Sequence, residues 1–196
     1  MGFHASCADS AFATTRGIEE RAMDPALQKL INKQAICDVI QRYSRTLDWL
    51  DDDGQASCYW PDAEIDYGFF KGSAEDFLPI VMDIERGSDR RWHMLSQPLI
   101  DFHSSTSASS ECYGVFAGAS RQDDGTLAGN LYGGRYLDEW EKREAGSGPE
   151  WRISKRLYIV DWQSDLVNQP EFMPNPDFPL PTAQIDKSNH PLYREM

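Results

Sequence analysis

The sequence is short of histidine, short of positive charge and without a long apolar run, and each shortage closes off a class of function. Only His4, His93, His103 and His190 occur. A three-histidine metal site would use nearly all of them, including two from the chain's ends, so no metal is expected. Cys7, Cys37, Cys58 and Cys112 are scattered, with no CxxC pair and no histidine at metal spacing. They read as plain thiols of a reduced cytoplasm. The chain carries 19 Lys and Arg against 32 Asp and Glu, a formal net charge of −13. A field of that sign repels a phosphate backbone, and no basic stripe interleaved with aromatics offsets it, so nucleic-acid binding is set aside. No stretch approaches the roughly 18 apolar residues that would cross a bilayer.

What is present is an ordinary globular composition: 196 residues, 40% apolar and 12% aromatic, enough for one domain with tails. Residues 1–23 are small and polar without periodicity and are expected to form a mobile arm. Asp24-Pro25 supplies an N-cap and a proline at the first helical position. Leu27, Leu30, Ile31, Val39, Ile40, Tyr43 and Leu47 then recur at three- and four-residue steps, which predicts a long amphipathic helix to about Trp49. "DDDGQASCYW" reads as a short helix ended by Pro61. Ala63, Ile65 and Tyr67 alternate with acidic residues as a half-buried strand, and Ser73 and Asp76 stand at capping-box spacing before a second helix.

From Arg90 the pattern turns to long strands: "RRWHMLSQPLIDFH", "SASSECYGVFAGASR", "LAGNLYGGRYLDEWEKR" and "EWRISKRLYIVDWQ", separated by turn signals such as "DDG" and "AGSG". Helices first and a meander afterwards predict an α+β domain over residues 24–163, its helices packed on one face of a curved antiparallel sheet. Residues 164–196 hold six of the eleven prolines. They are expected to lie extended, over the surface or a neighbouring subunit, as a lid or a strap.

The candidates for chemistry are few. Asp48 closes the long helix and His93 lies in a strand between Trp92 and Met94. If the helix crosses the concave side of the sheet, the two meet, and a carboxylate on one imidazole nitrogen fixes the tautomer and raises the basicity of the other. An aspartate at a helix end is more often a solvated cap, and a strand histidine more often a satisfied core residue. Tyr43 and Tyr67 can point phenol groups into the same pocket to hold a developing oxyanion. Arg156 shares a strand face with Tyr158 and Val160, where it binds an anionic group or pairs with a carboxylate.

The run from about Gln34 to Trp162 resembles the SnoaL-like branch of the nuclear-transport-factor-2-like superfamily, through "YSRTLDWLDDD", "WPDAEIDYG", "WHMLSQPLI" and "WRISKRLYIVDW" in order. The resemblance implies a cone of curved antiparallel sheet closed by helices. It also implies a cofactor-free lyase, either a dehydratase or a formaldehyde-releasing carbon–carbon lyase, acting on a small hydroxylated aromatic or alicyclic substrate. Asp48 and His93 match that family's catalytic dyad, Tyr67 and Tyr43 its tyrosines, and Arg156 an arginine of its last strand. Tyr113 and Tyr136 fall where scytalone dehydratase has a histidine and an asparagine. With Arg156 and Trp49 they complete the expected substrate contacts. An isomerase or polyketide cyclase using the same base, and a non-catalytic ligand-binding or assembly module, are the other readings. A homo-oligomer, most simply a trimer, is implied by the same resemblance.

Overall fold

The computed structural model describes Met1 and residues 23–169. The expected arm between them, and the proline-rich extension beyond Gln169, lie outside the described residues. Helix α1 (Pro25–Asp48) starts as its sequence requires, with the Asp24 carboxylate accepting the Ala26 N–H. Its inward face, Ile36, Val39, Ile40, Tyr43 and Leu47, is buried against the sheet. Helix α2 (Asp52–Ala56) follows at once, N-capped by Asp51. That aspartate is buried and accepts the Gly54 N–H. Helix α3 (Ala74–Arg86) carries the anticipated cap, in which the Asp76 N–H donates to Ser73 Oγ and the Ser73 hydroxyl donates to the Asp76 carboxylate. It buries Phe77, Val81 and Met82.

Seven strands form one curved, unclosed sheet: β1 (Tyr59–Asp66), β2 (Lys71–Ser73), β3 (Arg90–Leu95), β4 (Leu99–Phe102), β5 (Ser107–Arg121), β6 (Leu127–Ala145) and β7 (Gly148–Gln169). Their order is β2-β1-β7-β6-β5-β3, with β4 also paired to β5. The sheet with its helices is the expected α+β cone. Among the described residues no helix is long and apolar enough to cross a membrane.

Four local expectations need correction. Pro61 does not end α2 but lies inside β1, at the register break between Tyr59 and Glu64 where no ladder N–H is needed. "RRWHMLSQPLIDFH" is two strands, interrupted around Pro98. The sheet is not wholly antiparallel, because β1 runs parallel to β7. Finally, β7 continues to Gln169, past the boundary drawn at residue 163. The tight β5–β6 and β6–β7 turns use Gly125 and Gly148 at positive φ, 83° and 120°, where a Cβ would strain the backbone.

Candidate active site

Strand β3 is an edge of the sheet, and the end of α1 covers it. The Asp48 Oδ2 atom accepts the His93 backbone N–H at 3.3 Å, satisfying an edge group that would otherwise have no partner. The other oxygen, Oδ1, lies 2.8 Å from His93 Nδ1. An ionised carboxylate only accepts, so Nδ1 carries the proton and the neutral ring presents its Nε2 lone pair on the opposite side. The His93 side chain is 9% exposed and that of Asp48 22%.

On that opposite side stands Glu85, in the last turn of α3, with Oε1 3.6 Å from Nε2. Its side chain is 13% exposed. Burial pushes its carboxyl above the usual range; His93 and Arg91 pull it down and the Asp48 charge raises it. Arg91, two residues before His93 on the same strand face, ties the two helix ends together. Its Nε donates to the Asp48 carbonyl at 3.1 Å, and its Nη1 to the carbonyls of Glu85 at 3.2 Å and Ser88 at 2.6 Å. A cation at two helix C-termini also answers both macrodipoles. His93 and Glu85 line one cavity of about 300 Å³ with Phe116, Tyr132, Ser120 and Asn130.

Behind Phe116 lies a tyrosine cluster. The Phe116 ring is 5.7 Å from His93 and 5.3 Å from Tyr136, centroid to centroid. The Tyr43 hydroxyl is 3.0 Å from that of Tyr67 and 3.1 Å from that of Tyr136. Burial raises the phenols of Tyr43 and Tyr136 well above their ordinary value, which keeps both as neutral donors. Beneath them Arg156 forms a two-pronged pair with Asp138 at 2.7 and 2.8 Å, both side chains wholly buried. It also donates to the Tyr59 hydroxyl at 3.1 Å and stacks on the rings of Tyr43 and Tyr136. Burial works against the guanidinium charge, and the Asp138 carboxylate, together with Tyr59 and Tyr67, more than offsets it.

The family profile described as SnoaL-like domain matches residues 28–157, well over half of the chain. The chain belongs to the SnoaL-like domain family. A putative scytalone dehydratase from Novosphingobium aromaticivorans DSM 12444 superposes on this SnoaL-like chain with a TM-score of 0.62 at 19% identity, over 76% of this chain and 99% of the other. The hexachlorocyclohexane dehydrochlorinase LinA-type3 from Novosphingobium barchaimii LL02 gives 0.61 at 21%, over 76% and 99%. A nuclear-transport-factor-2-like superfamily protein from Salmonella enterica serovar Typhimurium LT2 gives 0.57 at 20%, over 67% and 92%. At these identities the likeness is one of fold. No curated protein sequence matches the chain.

Within this SnoaL-like fold the structure joins Asp48 to His93, and Tyr43 to Tyr67 and Tyr136, and sets Phe116 between the two groups. Three expected substrate contacts fall elsewhere. Arg156 is sealed against Asp138 and cannot reach a ligand. Tyr113 is on the outer face of the sheet, 54% exposed, beneath the Arg135 guanidinium, because its neighbour Cys112 takes the inward position. Trp49 is the residue that caps α1 and stacks on Arg45, outside the residues lining the His93 cavity. Sequence reasoning missed Glu85. The available signal was its spacing, for Phe77, Val81 and Glu85 follow one another at four-residue steps, so a carboxylate stands where the buried stripe of α3 calls for an apolar side chain. Among the described residues no cluster of three or more His, Cys, Asp or Glu side chains is arranged to hold a metal.

Proposed function

We propose that this SnoaL-like protein is a cofactor-independent lyase acting on a small hydroxylated aromatic or alicyclic substrate, with His93 as the base and Asp48 orienting it. The observation that carries this reading is the 2.8 Å contact between Asp48 Oδ1 and His93 Nδ1, which leaves Nε2 facing a cavity. A ring held from one nitrogen and open at the other has the geometry of a general base, worth about 10²–10⁴-fold in rate. Structural likeness to a putative dehydratase and to a dehydrochlorinase, both named for eliminations, supports the reaction type. The reaction is either loss of water or carbon–carbon cleavage releasing formaldehyde. The hydroxyl chain of Tyr67, Tyr43 and Tyr136 favours a second reading, in which the same base moves a proton within the substrate of an isomerase or cyclase and the phenols hold the oxyanion.

The test is turnover of a panel of hydroxylated aromatic and diarylpropane compounds by wild type, Asp48→Asn and His93→Ala, followed by product mass. Loss of water or formaldehyde in wild type, reduced at least about a hundredfold in both folded variants, is the expected result. Turnover without mass change favours the isomerase. Binding without turnover, indifferent to both substitutions, leaves a ligand-binding cone. Cytoplasmic location and self-association belong to the same proposal. Trp92, Met94, Leu99 and Leu157 are exposed and, by strand alternation, share the outer face of the sheet, where the register irregularity between Gly133 and Gly134 also places the exposed Trp162; this surface is suited to burial in a homo-oligomer such as a trimer. Light scattering on a sizing column measures the copy number.

A further inference from the structure

We propose that Glu85 is the general acid of this site, protonating the departing oxygen while His93 takes the proton from carbon; the proposal rests on the elimination reading above. Two carboxylates flank one imidazole, and their settings differ. Asp48 grips Nδ1 and the His93 backbone N–H, and the resulting pair is geometrically complete. Glu85 faces Nε2 from another helix at 3.6 Å, just beyond hydrogen-bond length, and among the described residues its carboxyl has no hydrogen bond. A gap of that length is one that substrate binding can close. Both groups open into the same cavity of about 300 Å³.

The arrangement closes a proton cycle without a cofactor. As Nε2 takes the carbon-bound proton, the C–H electron pair becomes the new C=C bond. The C–O bond breaks with its pair on oxygen, the oxygen takes the Glu85 proton, and water departs. Imidazolium and carboxylate remain, side by side. The Nε2 proton then passes to Glu85 across the same short gap, restoring neutral imidazole and neutral acid. Because base and acid sit together, hydrogen and hydroxyl leave from one face of the substrate. Burial pushes the Glu85 carboxyl upward against the pull of His93 and Arg91, which is the direction a general acid requires.

The test compares two substrates of one carbon skeleton, losing hydroxide or chloride, since chloride needs no proton to leave. Glu85→Gln is expected to lose about 10²–10⁴-fold on the hydroxyl compound and at least about tenfold less on the chloride, with Glu85→Asp recovering part of the loss. His93→Ala loses both. Equal losses on the two substrates, or no loss on the hydroxyl compound, overturn the acid role and leave the elimination reading standing. A wild type that eliminates from neither removes both. Carbon-13 NMR of the Glu85 carboxyl supplies a readout free of turnover. Its titration midpoint is expected to rise in His93→Gln, which removes the imidazole whose protonation favours the Glu85 carboxylate, and a midpoint that does not move overturns the coupling.

Discussion

The inner face of the sheet holds two buried acid–base assemblies built from similar parts, and they end in opposite states. In the pair of Asp138 and Arg156, both guanidinium-to-carboxylate bonds are made, Tyr59 takes another N–H, and two tyrosine rings cover the cation. In the group of Asp48, His93 and Glu85, one contact is made well and the other falls short, with a cavity alongside. The first holds strands β6 and β7 in place; the second retains an open nitrogen and a carboxyl without a donor. On the proposed function, whether buried charge serves folding or proton transfer is decided by the hydrogen-bond valence left over, more than by which residues are present.

Breaking the completed pair gives the largest effect. Arg156→Ala strands a buried carboxylate and is expected to cost about 3–5 kcal/mol of stability, read as a lower denaturation midpoint in urea. A variant unfolding like wild type would put the pair on the same footing as a surface salt bridge and erase the contrast.

Next in size is the strut between the two helix ends that meet at the candidate site. Arg91→Met removes three charge-assisted bonds to main-chain carbonyls. A loss of about 1.5–3 kcal/mol is expected. If Arg91 serves the site as well as the fold, kcat falls while KM holds, because two of the three carbonyls it grips belong to Asp48 and Glu85 themselves. A stability loss with unchanged kcat would make Arg91 a purely structural clamp.

The difference between the two assemblies was only partly legible in the sequence. The ends of α1 and α3 were written in Asp24-Pro25 and Ser73…Asp76, since capping is local chemistry. Residues 107–121 stood out as one strand because alternation and flanking turns agree. Asp48 and His93 were visible as a helix-end carboxylate and a strand imidazole among apolar neighbours. The partner of Arg156 was not. Carried on from the turn register of Ala145 and Gly148, Asp138 would face Lys155, and it is the irregularity between Glu139 and Trp140 that shifts it onto Arg156. A one-residue slip exchanges the faces of a strand, and nothing in the local pattern announces it. Glu85 escaped for the complementary reason: its significance comes from β3, which meets the end of α3 only in three dimensions.

The smallest expected effect is the most telling, because its sign is opposite to that of Arg156→Ala. Burial raises the Glu85 carboxyl in the folded protein, so between the unfolded value of about 4.3 and the higher folded one, the folded state binds more protons than the unfolded. Stability contributed by this group is therefore complete at low pH and falls as pH rises through the folded value. Wild type carries the cost at neutral pH, and Glu85→Gln, which has no proton to lose, does not. The variant is expected to be more stable than wild type at neutral pH, with the advantage fading as the pH falls toward about 4.3, in urea unfolding followed across that range. A variant less stable than wild type at neutral pH would mean that His93 and Arg91 hold Glu85 as a satisfied anion. The two assemblies would then be alike, and the carboxyl beside Nε2 would be a structural partner of the imidazole, with no proton to give.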